Sequence, residues 1–83
     1  MANLVLLTDF MLFLEEELLL NPGEVQPDIH FRSLRAWSSL NALIVISRIN
    51  DETGIFISAS DLANCQTVSD LHQMVQNKIH GAQ

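Results

Sequence analysis

Residues 31–40 read Phe31-Arg32-Ser33-Leu34-Arg35-Ala36-Trp37-Ser38-Ser39-Leu40. Upstream, Pro22, Gly23 and Pro27 argue against a continuous helix. Downstream, Ala42, Leu43, Val45, Ile46 and Ile49 recur as one broad helical face. The stretch is therefore the corner where a long connection, from about Asn21 to Ser38, gives way to a helix. A hydroxyl residue at such a corner is by default an N-cap. The same position is also exposed, and the helix dipole there favours an anion.

From that corner the helix runs from Ser38 or Ser39 to about Thr53, where Gly54 supplies the stop. Asn41, Arg48, Asp51 and Glu52 lie on its polar side, and Leu40 and Ile44 interrupt that side four residues apart. Backwards along the chain, Ile29, Phe31, Leu34 and Trp37 are placed to pin the long connection to a core. Loops of this length are often functional. Before it, Leu4, Leu7, Met11, Leu14 and Leu18 make an apolar stripe that predicts a helix over 3–19. Asn3 is its expected cap and Asn21-Pro22-Gly23 its stop. Val5, Leu6, Leu12 and Phe13 fall outside the stripe.

Beyond Gly54, Ile55-Phe56-Ile57 is too short to make a sheet alone and reads as an extended connector on the core. Ser58 or Ser60 caps a short helix near 60–64. Thr67-Val68-Ser69-Asp70 has capping-box spacing and opens a last helix over 67–79, with His80-Gly81-Ala82-Gln83 expected to fray. The reading is all-α, three main helices plus one short one, in a single domain. Its expected core is Leu7, Met11, Leu14, Phe31, Leu43, Ile46, Ile49, Ile57, Leu62, Val68, Leu71 and Val75.

Composition narrows the function. At 83 residues the chain buries a modest share of its surface, which lowers the prospect of an enclosed active site. Ten acids against four Lys and Arg give a net charge of -6, which repels nucleic acid and anionic headgroups and suits basic protein surfaces. The apolar N-terminal run has no preceding Lys or Arg, is broken by Asp9 and ends at Glu15, so it is a poor signal peptide and too short to span a bilayer. A soluble, cytoplasmic chain without membrane insertion is expected.

Catalytic sets do not assemble. Cys65 is the lone cysteine and reads as a small buried hydrophobe. His72 and His80 are too far apart for a one-turn zinc pair, so His30, His72 and His80 read as solvated or half-buried imidazoles. Successive residues Glu15, Glu16 and Glu17 diverge around a helix and read as a solvated face, not an acid–base pair. No nucleophile, base and orienter can be grouped, so no enzyme is expected.

The spacing of Phe31, Leu34, Ser39 and Leu40 resembles the attachment signature of acyl carrier proteins: Phe, two residues, Leu, several residues, then Asp-Ser-Leu. Trp37 just ahead of it is similar to carriers from specialised bacterial biosynthetic clusters. Leu18-Leu19-Leu20-Asn21-Pro22-Gly23-Glu24, Asp51-Glu52-Thr53-Gly54-Ile55 and Thr67-Val68-Ser69-Asp70-Leu71 resemble further family landmarks, in order and at the family's spacing.

The resemblance implies a four-helix acyl-carrier-like bundle over 1–83. It also implies phosphopantetheine, transferred covalently from coenzyme A onto Ser39 by a separate phosphopantetheinyl transferase. The arm would hold acyl intermediates as thioesters for synthases, ligases or transferases of fatty-acid, polyketide-like or other specialised acyl biosynthesis. The carrier would act as a monomer and catalyse nothing itself. Leu40, Ile44, Asp51 and Glu52 would meet the partner. Two features depart from the family. Ser38 stands where Asp is usual, and Asn41 and Ile44 stand where carriers often show Asp or Glu, which makes recognition less electrostatic. An unmodified, carrier-like interaction module is the alternative.

Overall fold

The computed structural model describes residues 4–81. Four α-helices follow one another: α1 (Leu7–Glu17), α2 (Ser39–Thr53), α3 (Ala59–Ala63) and α4 (Val68–Gly81), with a 3-10 turn at Phe31–Ser33 inside the long first connection. Among the described residues there is no strand. The only ladder contact among the described residues is an isolated bridge between His30 and Thr67, away from Ile55-Phe56-Ile57. The expected all-helical bundle is the observed one.

The start of α1 differs from the expected residue 3. Leu4, Val5 and Leu6 are not helical. The reason is tertiary: the Leu4 carbonyl accepts the Gln76 side-chain amide at 2.7 Å, and the Val5 carbonyl lies 2.8 Å from His72 Nε2. Two carbonyls that a helix starting at residue 3 would use internally are instead spent on α4. Leu4 still reaches the core, at 3% exposure. Asn3, the expected cap, lies outside the described residues.

At its other end α1 closes with the two backbone bonds of a Schellman turn, Leu19 N–H to Glu16 O at 3.3 Å and Leu20 N–H to Glu15 O at 2.8 Å. Leu19 sits at φ 55, where glycine is the usual residue. Gly54 does take that role after α2, at φ 77, donating to Asn50 O at 2.7 Å.

The acidic triplet is not one solvated face. Glu16 is exposed. Glu17 meets Arg48 of α2 at 3.5 Å. Glu15 is buried at 7% exposure, and its Oε2 accepts the backbone N–H groups of Gly23 (2.8 Å) and Val25 (3.1 Å). A buried carboxylate is tolerable when strong donors meet it. Here it folds the start of the long connection back onto α1 and lets Val25 enter the core.

The connection is pinned at its far end too. Phe31 is fully buried, Leu34 is 6% exposed, and Ile29 and Trp37 pack against the same cluster. The Ile29 and Pro27 carbonyls accept the N–H groups of Val68 and Ser69 at 3.0 and 2.8 Å, which would otherwise lack partners at the start of α4. Thr67 and Asp70 complete a capping box, with both reciprocal bonds at 3.1 Å, and Ser58 and Asp61 form another at α3. The N–H groups of Thr67 and Gln66 hold the Asp70 carboxyl below its ordinary value of 3.8. Arg32 spans from the 3-10 turn to the end of α3, donating to the Cys65 and Leu62 carbonyls while its guanidinium lies 4.5 Å from the centre of the Phe31 ring.

The core gathers Phe10, Phe13, Leu14, Phe31, Ile49, Leu71, Val68 and Val75 with Ile55 and Ile57. Phe10 and Phe13 were not among the expected core residues. Leu7, Met11, Ile46 and Leu62, all expected, are only partly buried. Leu43 is a plain correction, being 64% exposed. It points roughly 160° from Val45 and 120° from Ile49 around the helix axis, so those two cannot be buried together with it. The helix of α4 also persists through His80 and Gly81, which were expected to fray.

Candidate functional site at the start of the second helix

Ser38 is the N-cap of α2. Its backbone is extended, at φ -151 and ψ 169, and its Oγ accepts the N–H of Asn41 at 3.1 Å. Ser39 is the first helical residue. The two serines therefore divide two tasks: Ser38 spends its hydroxyl on the helix end, and the Ser39 hydroxyl makes no hydrogen bond among the described residues. Both residues are exposed.

The surroundings suit an anion on Ser39. The N–H groups of Ser39 and Leu40 belong to a first turn, where helical geometry leaves them without internal acceptors. The partial positive charge of the helix start adds to them. No acid occurs in the sequence between Asp28 and Asp51. A phosphodiester attached at Ser39 thus meets unspent donors and no neighbouring carboxylate from residues 29–50.

Two contacts hold the approach to this corner. The Trp37 and Phe31 rings meet in a T-shaped contact, with centroids 4.9 Å apart, and the Trp37 backbone N–H donates to Leu34 O at 2.9 Å. Phe31 and Leu34, quoted above for their spacing to Ser39, are thus the buried anchors of the segment that delivers it.

Leu40 and Ile44 are exposed at 67% and 41%. Leu43 joins them, giving three apolar side chains at the three- and four-residue spacing of one helix face. Sequence reading missed Leu43, although its position on the helical wheel opposite Val45 and Ile49 was the available signal. Asp51 and Glu52 lie three and four residues beyond Arg48, which reaches them at 4.0 and 3.6 Å as well as Glu17. They are therefore partly neutralised within the chain, and the structure does not set them beside Leu40 at the serine end.

Other reactive groups are occupied elsewhere. Cys65 is buried, and burial, followed by the Asp70 charge, pushes its thiol above the ordinary value of 9.0. His72 is half-buried on Phe10, with ring centroids 5.5 Å apart. Among the described residues no helix is long and apolar enough to cross a membrane.

No curated protein matches the chain. The family described as the phosphopantetheine attachment site matches residues 13–75. Domains of that family are where phosphopantetheine is covalently attached. The matched span runs from within α1 to within α4 and takes in the whole pinned connection, α2 and α3. The chain belongs to the phosphopantetheine-attachment family of carrier domains.

Proposed function

We propose that Ser39 is the attachment point and that the chain is an acyl carrier, holding intermediates as thioesters for fatty-acid, polyketide-like or other specialised acyl biosynthesis. The observation that carries this reading is the division between the two serines. Ser38 is committed to the cap, while Ser39 is exposed beside unspent N–H groups. In the transfer, the Ser39 oxygen attacks the pantetheine-side phosphorus of coenzyme A. An Oγ–P bond forms, the P–O bond to the adenosine bisphosphate half breaks, and the serine proton is lost to base. The carrier itself supplies only the hydroxyl, so it is not an enzyme. A separate transferase does the chemistry, and acyl-processing synthases, ligases or transferases use the product. The similarity of Trp37-Ser38-Ser39-Leu40 to carriers of specialised bacterial clusters supports a place in such a pathway, as a cytoplasmic monomer. Leu40 and Ile44, with Leu43 added, form the apolar partner-facing set, and Asp51 and Glu52, expected with them, contribute less because they are shared with Arg48.

A second reading has its own support. Ser38 keeps the capping role but lacks the negative charge of the family's Asp, which favours a carrier-like interaction module that no transferase modifies. Intact mass after incubation with coenzyme A and a broad-specificity phosphopantetheinyl transferase separates the two. A mass gain in wild type that Ser39→Ala abolishes and Ser38→Ala retains supports attachment at Ser39. A gain only in Ser38→Asp supports the module.

A further inference from the structure

We infer that Asn41 is a positioning residue for phosphopantetheine transfer, an inference that rests on Ser39 being the attachment point. Asn41 is the third residue of α2 and makes two bonds backwards across the corner. Its backbone N–H donates to Ser38 Oγ at 3.1 Å, and its side-chain Nδ2 donates to the Ala36 carbonyl at 2.6 Å. The orientation of the amide is fixed by its partner, because a carbonyl oxygen only accepts.

The two bonds matter because the Ser39 side chain makes no hydrogen bond of its own among the described residues. The direction of its hydroxyl is set by the backbone that precedes it. Trp37 is held by Phe31 and by Leu34 O. Asn41 holds the residues on either side of Trp37, Ala36 through its side chain and Ser38 through its N–H. Without the side-chain bond, the Ala36 carbonyl is released to water and the segment gains freedom one residue before Trp37. A nucleophile displaced by about 1 Å can lose roughly a hundredfold in rate without losing affinity.

Chemistry separates this role from a charge effect at the same position. Aspartate has nearly the same shape as asparagine but cannot donate, so it places an acceptor against the Ala36 carbonyl. Where position 41 serves only to offer charge to a basic transferase, Asn41→Asp improves transfer. Where it serves to donate, the same change impairs it.

The test is steady-state transfer from coenzyme A to the full chain by a broad-specificity transferase, read by intact mass, for wild type, Asn41→Ala, Asn41→Asp and Asn41→Gln. Thermal melting is followed for each. The expected result is a fall in kcat of about ten- to a hundredfold for Ala and Asp, with KM changed much less. Gln, which keeps the donor, recovers most of the rate, and all four chains melt within a few degrees of one another. Wild-type rates in the Ala or Asp variant, or a faster Asp variant, overturn the inference and leave attachment at Ser39 standing. A rate loss that only follows loss of helix, with the rate per folded molecule unchanged, overturns it as well. If no variant, wild type included, gains mass while a standard carrier does in the same reaction, the attachment reading falls and this inference with it.

Discussion

The Glu15 carboxylate of α1 accepts the backbone N–H of Val25, ten residues further on, at 3.1 Å. The same oxygen takes the Gly23 N–H, so one buried side chain ties two points of the long connection to the first helix. Val25 is itself only 2% exposed. Glu15→Ala leaves two N–H groups, one part-buried at Gly23 and one buried at Val25, without their charged acceptor. Unmade bonds of this kind cost about 1–3 kcal/mol each, and the two share one carboxylate, so a total of roughly 2–4 kcal/mol is expected. Glu16→Ala, one residue on and exposed, is the control and is expected within about 0.5 kcal/mol of wild type. Urea denaturation of both variants measures the difference. Equal midpoints would show that the carboxylate does not secure the loop.

Glu15 also shows what the sequence alone could not convey. Gly54, Ser58 and the Thr67–Asp70 pair were legible because caps and stops are local chemistry: the interacting groups lie within four residues. Phe31 and Leu34 were legible because large apolar residues in a loop have few places to go. Glu15 was not, since three consecutive acids look alike until the loop that buries one of them is in place. The start of α1 failed for the same reason. Its first carbonyls are claimed by Gln76 and His72, about seventy residues away in sequence, and no helix signal reports that. The serine corner was half legible. The helix start was legible only as Ser38 or Ser39, and Ser39 as the attachment point came from the resemblance to the carrier signature, whereas the bond from Asn41 to Ala36 depends on the turn between them.

Leu19 closes α1 in a conformation that suits glycine. Its φ of 55 places Cβ near the following carbonyl, at a cost of about 1–2 kcal/mol for a residue with a side chain. The side chain offers little in return, being 85% exposed. Leu19→Gly removes the strain but adds freedom to the unfolded chain, an offset of about 0.5–1 kcal/mol. The net expectation is a gain of roughly 0.5–1 kcal/mol, seen as a rise in melting temperature of a few degrees. A lower melting temperature would show that the Leu19 side chain contributes packing that its exposure does not reveal.

The apolar face beside Ser39 gives the last prediction. Leu40, Leu43 and Ile44 are exposed at 67%, 64% and 41%, whereas Val45 and Ile49 on the opposite side are each 2% exposed. A charge on the exposed face therefore costs the fold little, so Leu43→Glu and Ile44→Glu are expected to melt close to wild type. Leu71→Ala, which empties a packed core position, is expected to lose about 2–5 kcal/mol. The same two glutamates are expected to raise the KM of the transferase for the carrier, because they place a charge where an apolar partner surface must close. Salt distinguishes this from steering by acids. Asp51 and Glu52 are already shared with Arg48, and the three apolar residues carry no charge to screen. The wild-type KM is therefore expected to change little between low salt and about 0.5 M, a range over which charge-driven docking weakens strongly. A steep rise in KM with salt, together with normal KM in Leu43→Glu, would place docking on the acidic groups instead.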